Sequence, residues 1–125
     1  MKEKQLVSAF LNILKKTIED GRFRIIFRQD EDKSIKSIGV TANEAFDILN
    51  GLMVQDYVEG PIDDVDKNEP GKLWVFGRNQ SGRELYIKIK LYTDADDGLT
   101  KGRCLSFHPS DWELEYPFKT DSKRS

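Results

Sequence analysis

The chain holds one cysteine, Cys104, and one histidine, His108, among its 125 residues. A lone cysteine closes no internal disulfide and builds no cysteine-rich zinc site, which points to a reducing, cytoplasmic address. A lone histidine leaves the usual zinc-enzyme ligand sets incomplete. No apolar stretch approaches the roughly 20 residues of a membrane span. The opening Met1-Lys2-Glu3-Lys4-Gln5 leads into an apolar run that Asn12 interrupts and Lys15-Lys16 closes, without a signal-peptide cleavage site. Glycine-rich phosphate loops, nucleophile elbows and paired zinc motifs are also missing. The sequence therefore implies no membrane partner and no small-molecule cofactor.

What is present suits a charged globular protein, with 38% hydrophobic and 34% charged residues. The length fits one domain, expected over residues 1–119, with 120–125 as a short disordered tail. A formal net charge of -2 argues against a nucleic-acid partner, but its distribution argues the other way. Residues 51–70 carry six acids and one base, whereas residues 71–108 carry seven bases and four acids. A basic surface can thus sit on the C-terminal half of an acidic chain.

Leu6, Phe10, Ile13, Leu14 and Thr17 or Ile18 recur at helical spacing, and Asp20-Gly21 supplies a left-handed C-terminal stop. In Arg22 to Arg28, Phe23, Ile25 and Phe27 share one strand face, and Gln29 to Lys33 is a charged turn. Thr41-Ala42-Asn43-Glu44 is a capping box that opens a second helix, with Ala45, Ile48, Leu49 and Leu52 inward. Residues 56–72 read as a loop, followed by a three-stranded meander. Its strands are Lys72 to Asn79, Arg83 to Tyr92 and Gly102 to Phe107, the first two joined by a Gln80-Ser81-Gly82 hairpin turn. This order predicts an α+β sandwich, compact, with helices packed on one face of a mainly antiparallel sheet.

The strand from Arg83 alternates most cleanly, with Leu85, Ile87, Ile89 and Leu91 inward and Tyr86, Lys88 and Lys90 outward. Ser106 and His108 are expected on the same outer face, with Trp74, Phe76 and Arg78 adding aromatic and basic surface from the neighbouring strand. Lysine and arginine neutralise phosphates and aromatic rings stack on unpaired bases, so such a face suits single-stranded nucleic acid. An ordinary solvated strand shows the same alternation. His108 exchanges a proton near neutrality, or simply bonds backbone at a strand end. Asp63, Asp64 and Asp66 resemble part of a calcium loop but lack its glycine and bidentate glutamate, so a solvated acidic loop is expected and no metal site.

Several strings are familiar together: Gly39-Val40-Thr41, Asp56-Tyr57-Val58-Glu59-Gly60-Pro61, Leu73-Trp74-Val75-Phe76-Gly77, Tyr86-Ile87-Lys88-Ile89-Lys90, Ser106-Phe107-His108-Pro109 and Tyr116-Pro117-Phe118-Lys119. In this order, over roughly residues 36–119, they resemble the MqsR-like family of bacterial type II toxins. The resemblance implies a RelE-like ribonuclease fold and a metal-independent mRNA endonuclease (an mRNA interferase) restrained by a cognate antitoxin. It also implies that the ribose 2′-hydroxyl attacks its own 3′-phosphate with help from positioned side chains. The family's tyrosine falls on Tyr86, its lysine after Ser-Phe on His108, its glutamine after Trp on Val75, and its lysine after Asp-Phe-Tyr on Glu59. On this reading Tyr86 and Glu59 position or deprotonate the hydroxyl and His108 protonates the leaving oxygen. Lys88 and Arg78 stabilise the phosphorane, and Trp74 and Lys90 help to hold the mRNA. The alternative is a catalytically inactive module that binds protein or RNA on the same fold.

Overall fold

The computed structural model describes residues 2–25, 39–64 and 71–119. Helix α1 (Lys2–Glu19) is followed by strand β1 (Phe23–Ile25), helix α2 (Ala42–Asn50) and a 3-10 turn (Val54–Asp56). Strands β2 (Tyr57–Asp63), β3 (Lys72–Gln80), β4 (Arg83–Thr93) and β5 (Thr100–Pro109) complete the order. The strands form one sheet in the order β1-β5-β4-β3-β2. It is mixed, because β1 runs parallel to β5 while the other pairs are antiparallel. The class is α+β.

Local signals explain most of the elements. Thr41 and Glu44 close both halves of the capping box at 3.1 and 2.8 Å, and Ala45, Ile48, Leu49 and Leu52 are buried behind it. The β3–β4 turn has positive φ at Ser81 and Gly82, the backbone that matches the twist of paired strands. Helix α1 ends at Gly21, where φ is 75°. Its buried stripe, however, is Val7, Phe10, Leu11, Leu14 and Thr17, while Leu6 and Ile13 are exposed. The helix is thus turned by about one residue from the expected stripe, so that Phe10 stacks on Trp74 with centroids 4.5 Å apart.

The segment expected to be a loop carries β2, paired with β3 through Tyr57, Glu59, Ile62 and Asp63 with irregular register. Gly60 admits that irregularity, since a Cβ there would lie 2.9 Å from the Leu73 carbonyl oxygen. The expected strand continuation from Ile26 to Arg28, the turn at Gln29 to Lys33, Asp66 and the tail at 120–125 lie outside the described residues. One buried cluster joins Val7 to Leu14 of α1, Ala45 to Leu49 of α2, and Phe76, Leu85, Ile87, Ile89 and Phe107 of the sheet. The strand side that enters this cluster is the inner face; the opposite side is the outer face. Among the described residues no helix is long and apolar enough to cross a membrane.

Candidate functional site

Directly paired residues on neighbouring strands point to the same face, so the register decides which side chains meet. Tyr86 pairs with Gly77 on one side and His108 on the other, and Lys88 pairs with Val75 and Ser106. Val75 pairs in turn with Glu59. The outer face therefore holds two adjacent rows, Gly77-Tyr86-His108 and Glu59-Val75-Lys88-Ser106. Tyr86, His108, Glu59 and Lys88, read from three separate strings, come together here.

The Tyr86 and His108 rings stack at 5.4 Å, 19° from parallel. His108 Nδ1 lies 2.9 Å from the Pro109 carbonyl oxygen, which can only accept, so the proton sits on Nδ1. Nε2 is the ring atom left to exchange a proton with a ligand. Burial, and then the Glu59 carboxylate, raise the Tyr86 phenol above its ordinary value near 10, so it holds its proton at neutrality. The protonated Tyr86 hydroxyl is thus able to donate a hydrogen bond to a ligand.

Three expected surface residues are placed differently. Trp74 and Arg78 pair with Ile89 and Leu85 and so belong to the inner face, as does Phe76. Trp74 packs on Phe10, and Arg78 donates to the Gly51 carbonyl oxygen at 2.7 Å beside Asp56 at 3.6 Å. The register, set by the hairpin turn, overrides the reading that put this row outside. Lys90 does belong to the outer face but is only 1% exposed, ion-paired with Asp64 at 2.8 Å. The chain around Gly71 covers it, a Cβ at Gly71 falling 2.8 Å from Lys90 Cε. On β5 an irregularity between the Lys88 and Ile89 pairings lets Cys104 and Phe107 both face inward while Ser106 and His108 face out.

The acidic loop divides: Asp63 is exposed, as expected of a solvated loop, in an ion pair with Lys72, whereas Asp64 is buried against Lys90. Among the described residues no three His, Cys, Asp or Glu side chains gather as a metal site.

Sequence reading missed two features of this face. The parallel β1–β5 pairing sets Arg24 beside Arg103, next to the Lys90 position. No local pattern announces that pairing. Residues 110–116 also fold back as a strap across the outer face, and the turn that follows, closed by the Lys119 amide on the Tyr116 carbonyl oxygen at 3.1 Å, carries Phe118 round to the inner cluster. The Ser110 amide donates to the Glu84 carbonyl oxygen at 2.8 Å. The Glu84 carboxylate receives the Leu114 amide at 3.0 Å and the Tyr116 hydroxyl at 2.8 Å. That contact and burial push the Tyr116 phenol well above its ordinary value, burial contributing most. Phe118 then stacks on Tyr57 at 5.2 Å. A short signal was available: Leu114 and Tyr116 alternate with Glu113 and Glu115, the period of an extended segment lying on a surface.

Compared with protein families, residues 8–109 match the one described as motility quorum-sensing regulator, toxin of MqsA. The chain belongs to this MqsR toxin family. Membership makes it a toxin of a toxin–antitoxin system and implies an antitoxin partner. The match takes in α1 and β1 and ends with β5, so the strap lies beyond the matched residues. Neither curated proteins nor solved structures give a match.

Proposed function

We propose that this MqsR-family toxin is a cytoplasmic endoribonuclease of RelE-like fold, with helices on one face of the sheet and chemistry on the other. The observation that carries the reading is the grouping of Tyr86, His108, Glu59 and Lys88 on the outer face. Glu59 accepts the proton of a ribose 2′-hydroxyl while the 2′-oxygen forms its bond to the adjacent phosphorus. Tyr86 donates a hydrogen bond to a phosphoryl oxygen, and Lys88 offsets the charge that builds there. His108 enters the step as the imidazolium, with its second proton on Nε2, and the P–O5′ bond breaks as that proton passes to the leaving oxygen, leaving the neutral Nδ1–H imidazole. The products are a 2′,3′-cyclic phosphate and a 5′-hydroxyl, and no metal ion enters the balance. Single-stranded mRNA is the substrate, with Arg24 and Arg103 extending the basic surface beyond Lys88.

A second reading has one observation in its favour. Val75, buried and apolar, stands between Glu59 and Lys88 where the family resemblance sets a glutamine. A face that binds RNA or protein without cutting would tolerate it. Inducing the chain alone in bacteria separates the two. The nuclease arrests growth and depletes long transcripts, His108→Ala relieves both, and normal growth with abundant soluble protein would contradict the reading.

A further inference from the structure

Among the described residues Trp112 is the most exposed large hydrophobic side chain, at 59%. It is nevertheless firmly placed. The Ser110 hydroxyl donates to the Trp112 carbonyl oxygen at 2.6 Å, and the Trp112 amide approaches the same hydroxyl at 3.3 Å. On either side the strap is anchored through Ser110 and Leu114 to Glu84. The indole stands against Tyr86 with centroids 5.6 Å apart and planes 62° from parallel. The contact is edge-to-face rather than stacked, and it leaves 59% of the Trp112 surface in water. Tyr86 is in turn stacked on His108, so Trp112 stands at the edge of the catalytic pair. Holding a large aromatic ring in water beside a polar cluster leaves its apolar surface uncovered, a cost that an apolar ligand surface offsets.

We propose that Trp112 is a stacking platform for an unpaired nucleobase flanking the scissile phosphate, which makes the strap part of the substrate site. This deepens the ribonuclease reading and rests on it for the nature of the ligand. Every base presents a π-face, so the platform grips single-stranded RNA with little dependence on sequence. Lys88, two residues along β4 from Tyr86 on the same face, lies in the adjoining row for the phosphate. Trp112 touches no reacting atom; it is a binding residue that holds the nucleotide in register with Tyr86 and His108.

The test uses the full chain and a short mixed-sequence 2′-O-methyl RNA, which lacks the attacking hydroxyl and stays intact. Binding should quench indole emission in the wild type. Trp112→Phe, which leaves Trp74 as the reporter, should lose the quench while keeping most of the affinity. Trp112→Ala should bind about tenfold or more weakly. On cleavable RNA it should raise KM by a similar factor with kcat little changed. Unchanged RNA affinity in Trp112→Ala overturns the proposal, and so does a loss that Phe does not restore. If Trp112→Ala keeps its RNA affinity but releases the antitoxin, the residue is a protein anchor and the proposal is overturned in that form. The two readings fail separately. A wild type that binds the 2′-O-methyl RNA with quenching but leaves RNA uncut sinks the nuclease and keeps the platform. Cleavage indifferent to Trp112 does the reverse.

Discussion

Replacing Gly77 by Ala should loosen the strap, and the geometry sets the size of the effect. A Cβ at Gly77 would lie 2.3 Å from the Tyr116 hydroxyl oxygen, 2.7 Å from Leu114 Cδ1 and 2.9 Å from Tyr116 Cε1. Tyr116 is a rigid ring whose hydroxyl is bonded to Glu84, so it cannot yield without breaking that bond. A hydrogen bond to a charged group contributes about 1.5–3 kcal/mol. Part of the burial of Leu114, now 5% exposed, is lost too, at about 1 kcal/mol. Against this, Ala gains about 0.5–1 kcal/mol over Gly in a strand by restricting the unfolded chain. The net loss is about 1.5–3.5 kcal/mol. For 125 residues at about 2.1 cal/mol/K each, this lowers Tm by roughly 6–13 °C. A double-mutant cycle supplies the control. With Tyr116→Ala already in place only the end of the Leu114 side chain, 2.7 Å from the new Cβ, is left to shift, and Gly77→Ala should cost no more than about 1 kcal/mol. Urea unfolding of the four proteins measures both steps. An equal loss in the two backgrounds would refute the strap's docking on Gly77.

Two further outcomes are expected. Tyr86→Phe and Lys88→Ala should each change stability by no more than about 1 kcal/mol yet slow RNA cleavage at least tenfold, whereas Ile87→Ala, at a fully buried inner position, should cost about 2–5 kcal/mol. Melting and cleavage measured on the same variants check this, and unfolding by Tyr86→Phe alone would mean that the faces are reversed. Asp94 and Asp97 are held below the usual carboxylate range, Asp94 chiefly by Lys101 and Asp97 by the Leu99 amide and then Lys101. Their contribution is present above the ordinary carboxylate pKa near 4 and is lost as pH falls through the lowered values, so Lys101→Met should flatten the acid side of a stability–pH curve.

How far the residues announced this structure depends on how local each signal is. The capping box at Thr41, the hairpin turn at Ser81-Gly82 and the alternation of Leu85, Ile87 and Ile89 are complete within a few residues, and each formed as read. The α1 stripe was turned because Leu6 and Ile13 extend the Phe10, Leu14 and Thr17 row on one side as well as Val7 and Leu11 extend it on the other; contact with the sheet chooses between the sides. Strand β2 was hidden by Gly60-Pro61, turn residues that an edge strand accommodates with broken register. Trp74 and Arg78 were put on the wrong face because nothing within Lys72 to Gln80 says which neighbour on β4 each residue meets. Lys90 looked like a solvated lysine because Asp64 is distant in sequence. At the site, Tyr86, His108, Glu59 and Lys88 were legible as residues, while Trp112 depended on a strap whose apolar alternation went unread.

The most direct measurement of the central claim is incubation of the purified chain with mixed-sequence single-stranded RNA in excess EDTA, beside His108→Ala, with the product ends identified. Wild-type protein should cut the RNA, leaving 2′,3′-cyclic phosphate and 5′-hydroxyl ends, and His108→Ala should cut at least a hundredfold more slowly, about 2.7 kcal/mol of lost transition-state stabilisation. Cleavage that stops in EDTA and returns with magnesium, or that His108→Ala leaves unchanged, would contradict the assignment of the outer face as a metal-independent ribonuclease site.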